Sequence, residues 1–209
     1  PIEVAALETL VPLLDEGQPA RAASLSDDEW AAVKPLGLLS AKRMIYATNV
    51  LDSDLADGGN AYVEEVRKRA AGEGASVVVV SAQVESELVD LEAAERGEFL
   101  ESLGVESGES GLDKLIRAVY GLLELRTYFT SGETETRAWT IRSGMLAPQA
   151  AGVIHTDFEK GFIRAETVGY DDLVSAGSVG GAKEAGKWRS EGKEYVVQEG
   201  DVMLFRFNN

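Results

Sequence analysis

The chain contains no cysteine and a single histidine in 209 residues. Without thiols it can form neither a disulfide framework nor a thiolate metal site, and one imidazole cannot build a histidine-based metal cluster. No apolar run approaches the roughly 18 residues a membrane-spanning helix needs, and no basic-then-apolar leader opens the chain. These absences predict a cytoplasmic protein with no membrane partner. Basic residues are scarce as well: 20 Lys and Arg stand against 36 Asp and Glu, a net charge of −16 at pH 7. That balance argues against a uniform nucleic-acid binder. The deficit is uneven, because Pro1 to Leu125 carries 24 acidic and 10 basic residues while Arg126 to Asn209 carries 12 and 10. The near-neutral C-terminal part can approach phosphates, whereas the acidic part is repelled from them. The blander account of the overall excess is solubility.

A phosphate-cradling loop is missing too. The nearest match to GxxxxGK[ST] is Gly181 to Lys187, but Trp188 stands where a hydroxyl should hold Mg²⁺. Residues 175–180 before it are small and polar, so no apolar strand delivers it. The sequence therefore holds no P-loop, switch region or Mg²⁺ ligand set.

What is present divides the chain into one or two domains by length. Val4, Leu7, Leu10, Val11 and Leu14 recur at helical spacing and stop at Gly17-Gln18-Pro19. A chain opening on such a helix without a methionine is expected to be part of something longer. Ser26 and Glu29 have capping-box spacing before a short helix through Val33. Two βα units follow: a strand over Met44 to Thr48 with a helix over Ala61 to Ala71, turning Tyr62, Val63, Val66 and Ala70 inward, then a strand at Val77 to Val80. Four consecutive valines predict a strand buried on both faces. A second helix places Leu88, Leu91, Phe99 and Leu103 inside. Glu106 to Gly111 reads as a linker-like interruption, and Leu112 to Leu125 as a further helix. Alternating β and α predicts a parallel sheet.

The last third is organised around Ala151 to Glu166. Thr156 and Glu159 have capping-box spacing, so a helix is expected from about Asp157 with Phe158, Phe162, Ile163 and Ala165 on one face. Strands are expected at Thr136 to Ile141 before it, and at Glu194 to Val197 and Val202 to Phe207 after it, the last two joined by a hairpin-like turn. A hairpin, a helix and a closing C-terminal strand fit a β-grasp.

Seven stretches carry a resemblance to a known family: LLSAKRMIYATNV (38–50), SVVVVSAQVESEL (76–88), LIRAVYGLLEL (115–125), LLELRTYFTSGETETRAWTI (122–141), APQAAGVIHTDFEKGFIRAE (147–166), GAKEAGKWRSEGKEYVV (181–197) and GDVMLFRFN (200–208). They resemble the YchF subfamily of Obg-related P-loop NTPases over most of the chain. Members run as a G domain interrupted by a helical coiled-coil insertion, then the second half of the G domain, then a TGS domain. The resemblance implies that residues 1–35 end the insertion, 36–125 form the second half of the G domain, and 126–209 form the TGS domain. The expected fold class is α/β plus α+β: a partial parallel-sheet G domain with a helical N-terminal segment, followed by a β-grasp. It also implies a ribosome-associated protein that hydrolyses ATP when complete, with GTP as the alternative nucleotide. Mg²⁺ would act in the complete protein only, and the ribosome or its RNA would be reached through the TGS domain. The 209 residues alone are expected to be inactive.

In an open parallel sheet, ligands bind beyond the carboxyl ends of the strands. Two loops qualify, Asn49-Val50-Leu51-Asp52 and Ser81-Ala82-Gln83. By resemblance they occupy the positions of the base-reading NKxD and SAK motifs, with Val50 in place of the lysine. The ATP-preferring YchF subfamily has NxxE at the first, and Asp52 departs from it toward the acid that reads guanine. Adenine is the expected base and guanine the alternative, with Asn49, Val50 and Leu51 on the purine and Ser81 to Gln83 closing the far side. An asparagine offers one acceptor and two donors to a purine edge. On residue types alone, Asn49 is a turn residue and Ser81 a helix cap.

Two other features were weighed. His155 is a candidate general base, but only Asp157 stands beside it, so packing or hydrogen bonding at a helix start is expected instead. Lys183, Lys187, Arg189 and Lys193 bracket Trp188, a combination suited to single-stranded RNA, against which stands a solvated loop with the indole folded onto the sheet. The competing functions are a non-enzymatic β-grasp RNA-binding or adaptor module and, more weakly, a free-standing small-molecule enzyme.

Overall fold

The computed structural model describes residues 1–105, 108–132 and 135–208. The start of the expected interruption, Glu106 and Ser107, lies outside the described residues. The chain divides into two compact units, Pro1–Leu122 and Leu123–Asn209.

In the first unit, α1 (Ile2–Asp15) buries Ala6 and Leu10 against α2 (Asp27–Val33) and the intervening turn, with Ala20, Ala23, Val33 and Trp30 in the same cluster. The expected capping box forms. Ser26 Oγ accepts from the Glu29 N–H at 3.4 Å while the Glu29 carboxylate accepts from the Ser26 N–H at 2.8 Å. Those bonds hold the Glu29 carboxyl below its usual range. Strands β1 (Ile45–Asn49) and β2 (Ser76–Val80) pair in parallel, Asn49 opposite Val80, and α3 (Ala61–Glu73) connects them. Asn60 Oδ1 caps α3 by accepting from the N–H groups of Tyr62 and Val63 at 3.0 and 3.3 Å. Glu73, at the other end, accepts from Tyr46 Oη at 2.8 Å and from Arg21 and Arg69, both at 3.0 Å. The Tyr46 bond above all keeps its carboxyl low.

Three expectations change in this unit. Tyr62 does not face inward: it is 82% exposed while Val63 and Ala70 are buried, because a residue adjacent to the buried stripe lies about 100° around the helix. Of the four valines only Val78 is buried, since a two-stranded sheet does not enclose a strand on both faces. The single helix expected after β2 is two, α4 (Ala82–Val89) and α5 (Ala93–Ser102). Both still bury the same side, with Val84, Leu88 and Leu100 inside and Leu91, Phe99 and Leu103 packed on them. The unit closes with α6 (Gly111–Leu122), held by reciprocal Ser110–Asp113 bonds of 3.1 and 3.2 Å. This helix ends before Leu125, which already belongs to a strand.

The second unit is a five-stranded sheet in the order β4-β3-β7-β5-β6. Its strands are β3 (Leu125–Ser131), β4 (Thr136–Arg142), β5 (Phe162–Gly169), β6 (Arg189–Glu191) and β7 (Asp201–Phe207). The β3–β7 pair is parallel and the other three pairs are antiparallel. One face carries α7 (Ala147–Ile154) and the short α8 (Thr156–Lys160). Its core joins Tyr128, Ile141, Ala147, Ala150, Ala151, Phe162, Met203 and Phe205. Tyr128 donates its hydroxyl to the Ala150 carbonyl at 2.9 Å, and burial raises its pKa. The other face carries α9 (Tyr170–Ala176) and α10 (Val179–Glu184), over Val168, Ala182, Val202, Phe129 and Trp188.

The expected central helix lies upstream of its predicted position. Thr156–Lys160 is helical, but Phe162 to Gly169 is β5, and the main helix is α7. A register shift between Phe162 and Arg164 inserts one residue into the ladder. That bulge separates the inward residues Phe162 and Ala165 by three, which imitates a helical stripe. The Thr156 box does not form, because His155 Nδ1 accepts from the Asp157 N–H at 3.2 Å and takes the cap. Glu194 to Val197 is not a strand either; it makes one bridge, Val196 to Leu146. Both edges of β7 are taken by β3 and β5, which leaves no place for a hairpin partner.

Candidate functional site

Because β1 and β2 are parallel and in register, both predicted loops leave the same edge of the sheet. Asn49 ends β1, and its Oδ1 accepts from the Ala82 N–H at 2.9 Å. The Val50 N–H donates to the Val80 carbonyl at 2.9 Å. One side-chain bond to Ala82 and one main-chain bond to Val80 thus fasten Asn49-Val50 to the end of β2 and the start of α4. The bond to Ala82 also satisfies a free N–H at the start of α4, which explains why Ser81 makes no capping bond of its own. Ser81 is 1% exposed, and its hydroxyl has no hydrogen-bond partner among the described residues.

The remaining members differ in availability. Val50 is buried beneath the loop, whereas Leu51 is 65% exposed. Asp52 Oδ1 accepts from the Ser53 N–H at 2.8 Å. Gln83 is exposed and donates to Glu87 at 3.2 Å, away from Asn49. The structure therefore bonds Asn49 to Ala82 and Val50 to Val80, with the buried Ser81 between the two bonded positions. Leu51 and Asp52 project at the margin, and Gln83 is engaged along its own helix.

That bond leaves the Asn49 amide N–H groups and a second lone pair on its oxygen uncommitted by it. Gly111 supports β2: a Cβ there would lie 2.9 Å from the Val80 Cα. Glu85 accepts from the Leu112 N–H at 3.1 Å and ties α4 to α6. Sequence reading missed both supports; a glycine at a helix start was the one available signal.

The other candidates resolve differently. The GxxxxGK match lies in α10 and the turn after it, with α9 rather than a strand upstream. Its Lys187 pairs with Asp172 at 3.2 Å. Arg189 is engaged by Glu191 at 2.9 Å, by Tyr195 Oη at 3.1 Å and by Asp201 at 3.6 Å. Lys183 lies 5.2 Å from the Trp188 ring centroid, and that indole packs on the second core. The expected RNA-facing cluster is thus largely neutralised from within, and Trp188 takes the structural role. His155 is exposed, 3.4 Å from Asp157 Oδ2, and serves as a helix cap.

A family model described as "YchF-GTPase_C: Protein of unknown function (DUF933)" matches residues 125–208. The chain is 54% identical over 203 residues to "Ribosome-binding ATPase YchF" of Bacillus subtilis (strain 168), covering 97% of this chain and 55% of the relative. It is 40% identical over 199 residues to "Obg-like ATPase 1" of Rattus norvegicus, covering 94% and 50%. The solved Schizosaccharomyces pombe YchF GTPase superposes with a TM-score of 0.82 at 36% identity, over 97% of this chain and 53% of that one. Residues 125–208 thus match the YchF C-terminal family model, and the chain as a whole is similar to the C-terminal part of YchF proteins. It spans about half the length of the curated relatives it matches and corresponds to their C-terminal part. The YchF C-terminal model begins at the residue where β3 begins.

Proposed function

We propose that this chain supplies the base-reading edge and the β-grasp module of a ribosome-associated YchF-type ATPase. The observation that carries the reading is the Asn49 Oδ1 to Ala82 N–H bond at 2.9 Å. It joins the loops that follow two adjacent parallel strands, where a doubly wound sheet takes its ligand. With that bond holding the side chain in place, Asn49 can present its amide donors to an acceptor nitrogen such as N7, which adenine and guanine share. Asn49 thus holds a purine without choosing between the two bases. Choice falls to Asp52, whose carboxylate accepts from exocyclic or ring N–H groups. Leu51 covers one ring face, and the Ser81–Ala82 segment closes the other side, with Gln83 at its margin. ATP is the nucleotide of this reading and GTP its competitor.

The phosphates and any Mg²⁺ fall to residues outside this chain. Phosphoryl transfer is mainly positioning and charge neutralisation at the phosphates, so the 209 residues bind the base end and do not hydrolyse. The second unit, corresponding to the TGS domain, makes the ribosome contact in this reading, by a surface other than the paired Lys187 and Arg189.

Photolabelling with 8-azido-ATP tests the base site, using the longer protein that joins this chain to a GxxxxGK[ST]-bearing segment. Within these 209 residues the label is expected on peptides containing Asn49 to Asp52 or Ser81 to Gln83. Label confined to the second unit would remove these loops from the site.

A further inference from the structure

The loop that follows β1 carries Leu51 and Asp52 and then runs on to Asn60 before α3 begins. A connection of that length is mobile unless its own groups close it. This one closes on Asp54. The Asp54 N–H donates to the Leu51 carbonyl at 3.1 Å, its carbonyl accepts from the Gly59 N–H at 2.8 Å, and its Oδ2 accepts from Asn60 Nδ2 at 2.8 Å. Within the ring so formed, the Leu55 N–H donates to the Asp52 carbonyl at 3.1 Å, and Leu55 packs on Val84, Leu88 and Leu100. Asp52 opens the single 3₁₀ turn of this ring (Asp52–Asp54).

Asn60 joins the ring to the helix. Its Oδ1 takes the Tyr62 and Val63 N–H groups, while its Nδ2 serves Asp54. A helix cap alone needs only the oxygen, which serine or aspartate supplies as well. The asparagine amide adds donors to that acceptor in one planar group, so it can face the helix and the loop at once. Its neighbours keep that geometry. Gly59 has φ +127°, and a Cβ there would lie 2.9 Å from the Val63 side chain. The Gly58 carbonyl accepts from Arg67 Nη2 of α3 at 2.8 Å. All these bonds lie inside the first unit.

We propose that Asn60 is the positioning residue for base choice: acting through Asp54, it holds the turn that carries Asp52 beside Asn49. The inference rests on the base-reading role proposed above for Asp52. The Asp52 carboxylate is exposed and accepts from its neighbour Ser53, so it goes where its turn goes. A group that discriminates between ligands must be held to within roughly half an ångström by bonds behind it. Asn49 has such a bond of its own, to Ala82. The Asn60 amide therefore governs the choice between bases, whereas Asn49 holds the purine.

Calorimetry with ATP and GTP tests this in the longer protein that joins the chain to a GxxxxGK[ST]-bearing segment. Asn60→Asp keeps the cap oxygen, removes the donor and sets a second carboxylate against Asp54. The ratio of the two affinities is expected to move toward one by at least about threefold, a large part of the roughly tenfold that Asp52→Ala removes. Adding Asp54→Asn exchanges the amide and the carboxylate, and the ratio should return to within about twofold of wild type. A cap that is merely structural behaves otherwise: its loss lowers both affinities and the melting temperature together and leaves the ratio where it was. If Asn60→Asp does not fold, Asn60→Ser, a cap without the donor, takes its place and is expected to move the ratio likewise. With Asp52→Ala moving the ratio, an unmoved ratio in the Asn60 variant, or a shift that the exchange fails to restore, would overturn the proposal and leave the base reading standing. An unmoved ratio in Asp52→Ala itself would remove the base-choosing role of Asp52 and this inference with it.

Discussion

The two units bury their residues to very different depths. Five of the seven largest fully buried side chains, Tyr128, Met203, Val168, Val197 and Thr167, lie in the second unit, against Leu10 and Ser81 in the first. Conversely, Leu39, Leu51, Tyr62 and Val89, the large hydrophobics exposed beyond 60%, all lie in the first. A five-stranded sheet covered on both faces closes a core. A two-stranded sheet does so poorly, and each cluster of the first unit holds fewer buried residues than the main cluster of the second. The lesson is that the second unit has the deeper core, whereas the loops after β1 and β2 sit on a scaffold with apolar surface to spare.

The sharpest way to break this contrast is to cut equivalent holes in both units. Phe205→Ala is expected to cost about 3–5 kcal/mol in the second unit. Leu100→Ala, beside a cavity of about 270 Å³ lined also by Val78 and Val84, should cost about 2 kcal/mol, the low end for such a change. Urea unfolding followed by Trp139 and Trp188 in one unit and Trp30 in the other reads both. Equal costs would dissolve the distinction.

A smaller effect probes what pins the β7 start. Asp201 is 3% exposed and accepts from Tyr195 Oη and the Gln198 N–H, both at 2.8 Å. Asp201→Ala should cost about 2 kcal/mol, as hydrogen bonds to a charged group do. Burial first, and the Asp201 carboxylate second, push the Tyr195 hydroxyl up to about 12. Its folded pKa lies above its unfolded one, so its contribution is complete below about pH 10 and is lost as pH rises toward 12. Tyrosinate absorbance should show Tyr128 and Tyr195 both titrating late, with only Tyr195 moving earlier in Asp201→Ala. An unmoved titration would show that burial alone sets it.

The smallest expected change concerns ribosome contact. Since Lys187 and Arg189 are spent on Asp172, Glu191 and Asp201, Lys187→Ala with Arg189→Ala should leave co-sedimentation with ribosomes unaltered over a salt series. Thermal stability of the second unit should fall modestly. A flattened salt dependence would return these cations to the binding surface.

Much of this was legible in the sequence, and the misses have physical causes. The Ser26–Glu29 box, the parallel strands and the loops after them follow from local chemistry and periodicity, and they stand where expected. The β5 error arose because a bulge gave a strand the spacing of a helix. The main helix α7 escaped because it begins Ala-Pro and contains Gly152, whose lack of a side chain admits Glu159 of α8. For the Trp188 cluster two readings stood side by side, because sequence spacing cannot show that Asp172 and Asp201 reach its cations from other elements. Similarly, the sequence placed Asn49 in the loop after β1, but could not show that its oxygen accepts from the Ala82 N–H.

That bond makes the central claim measurable. Calorimetry of the longer protein with ATP and GTP, wild type against Asn49→Ala, compares a site in which this amide donates to the purine with one in which it is absent. The account predicts that both affinities fall by a similar factor, about 10- to 100-fold for a lost buried hydrogen bond, because the donor reads a nitrogen common to both bases. Unchanged affinity for both nucleotides would contradict it.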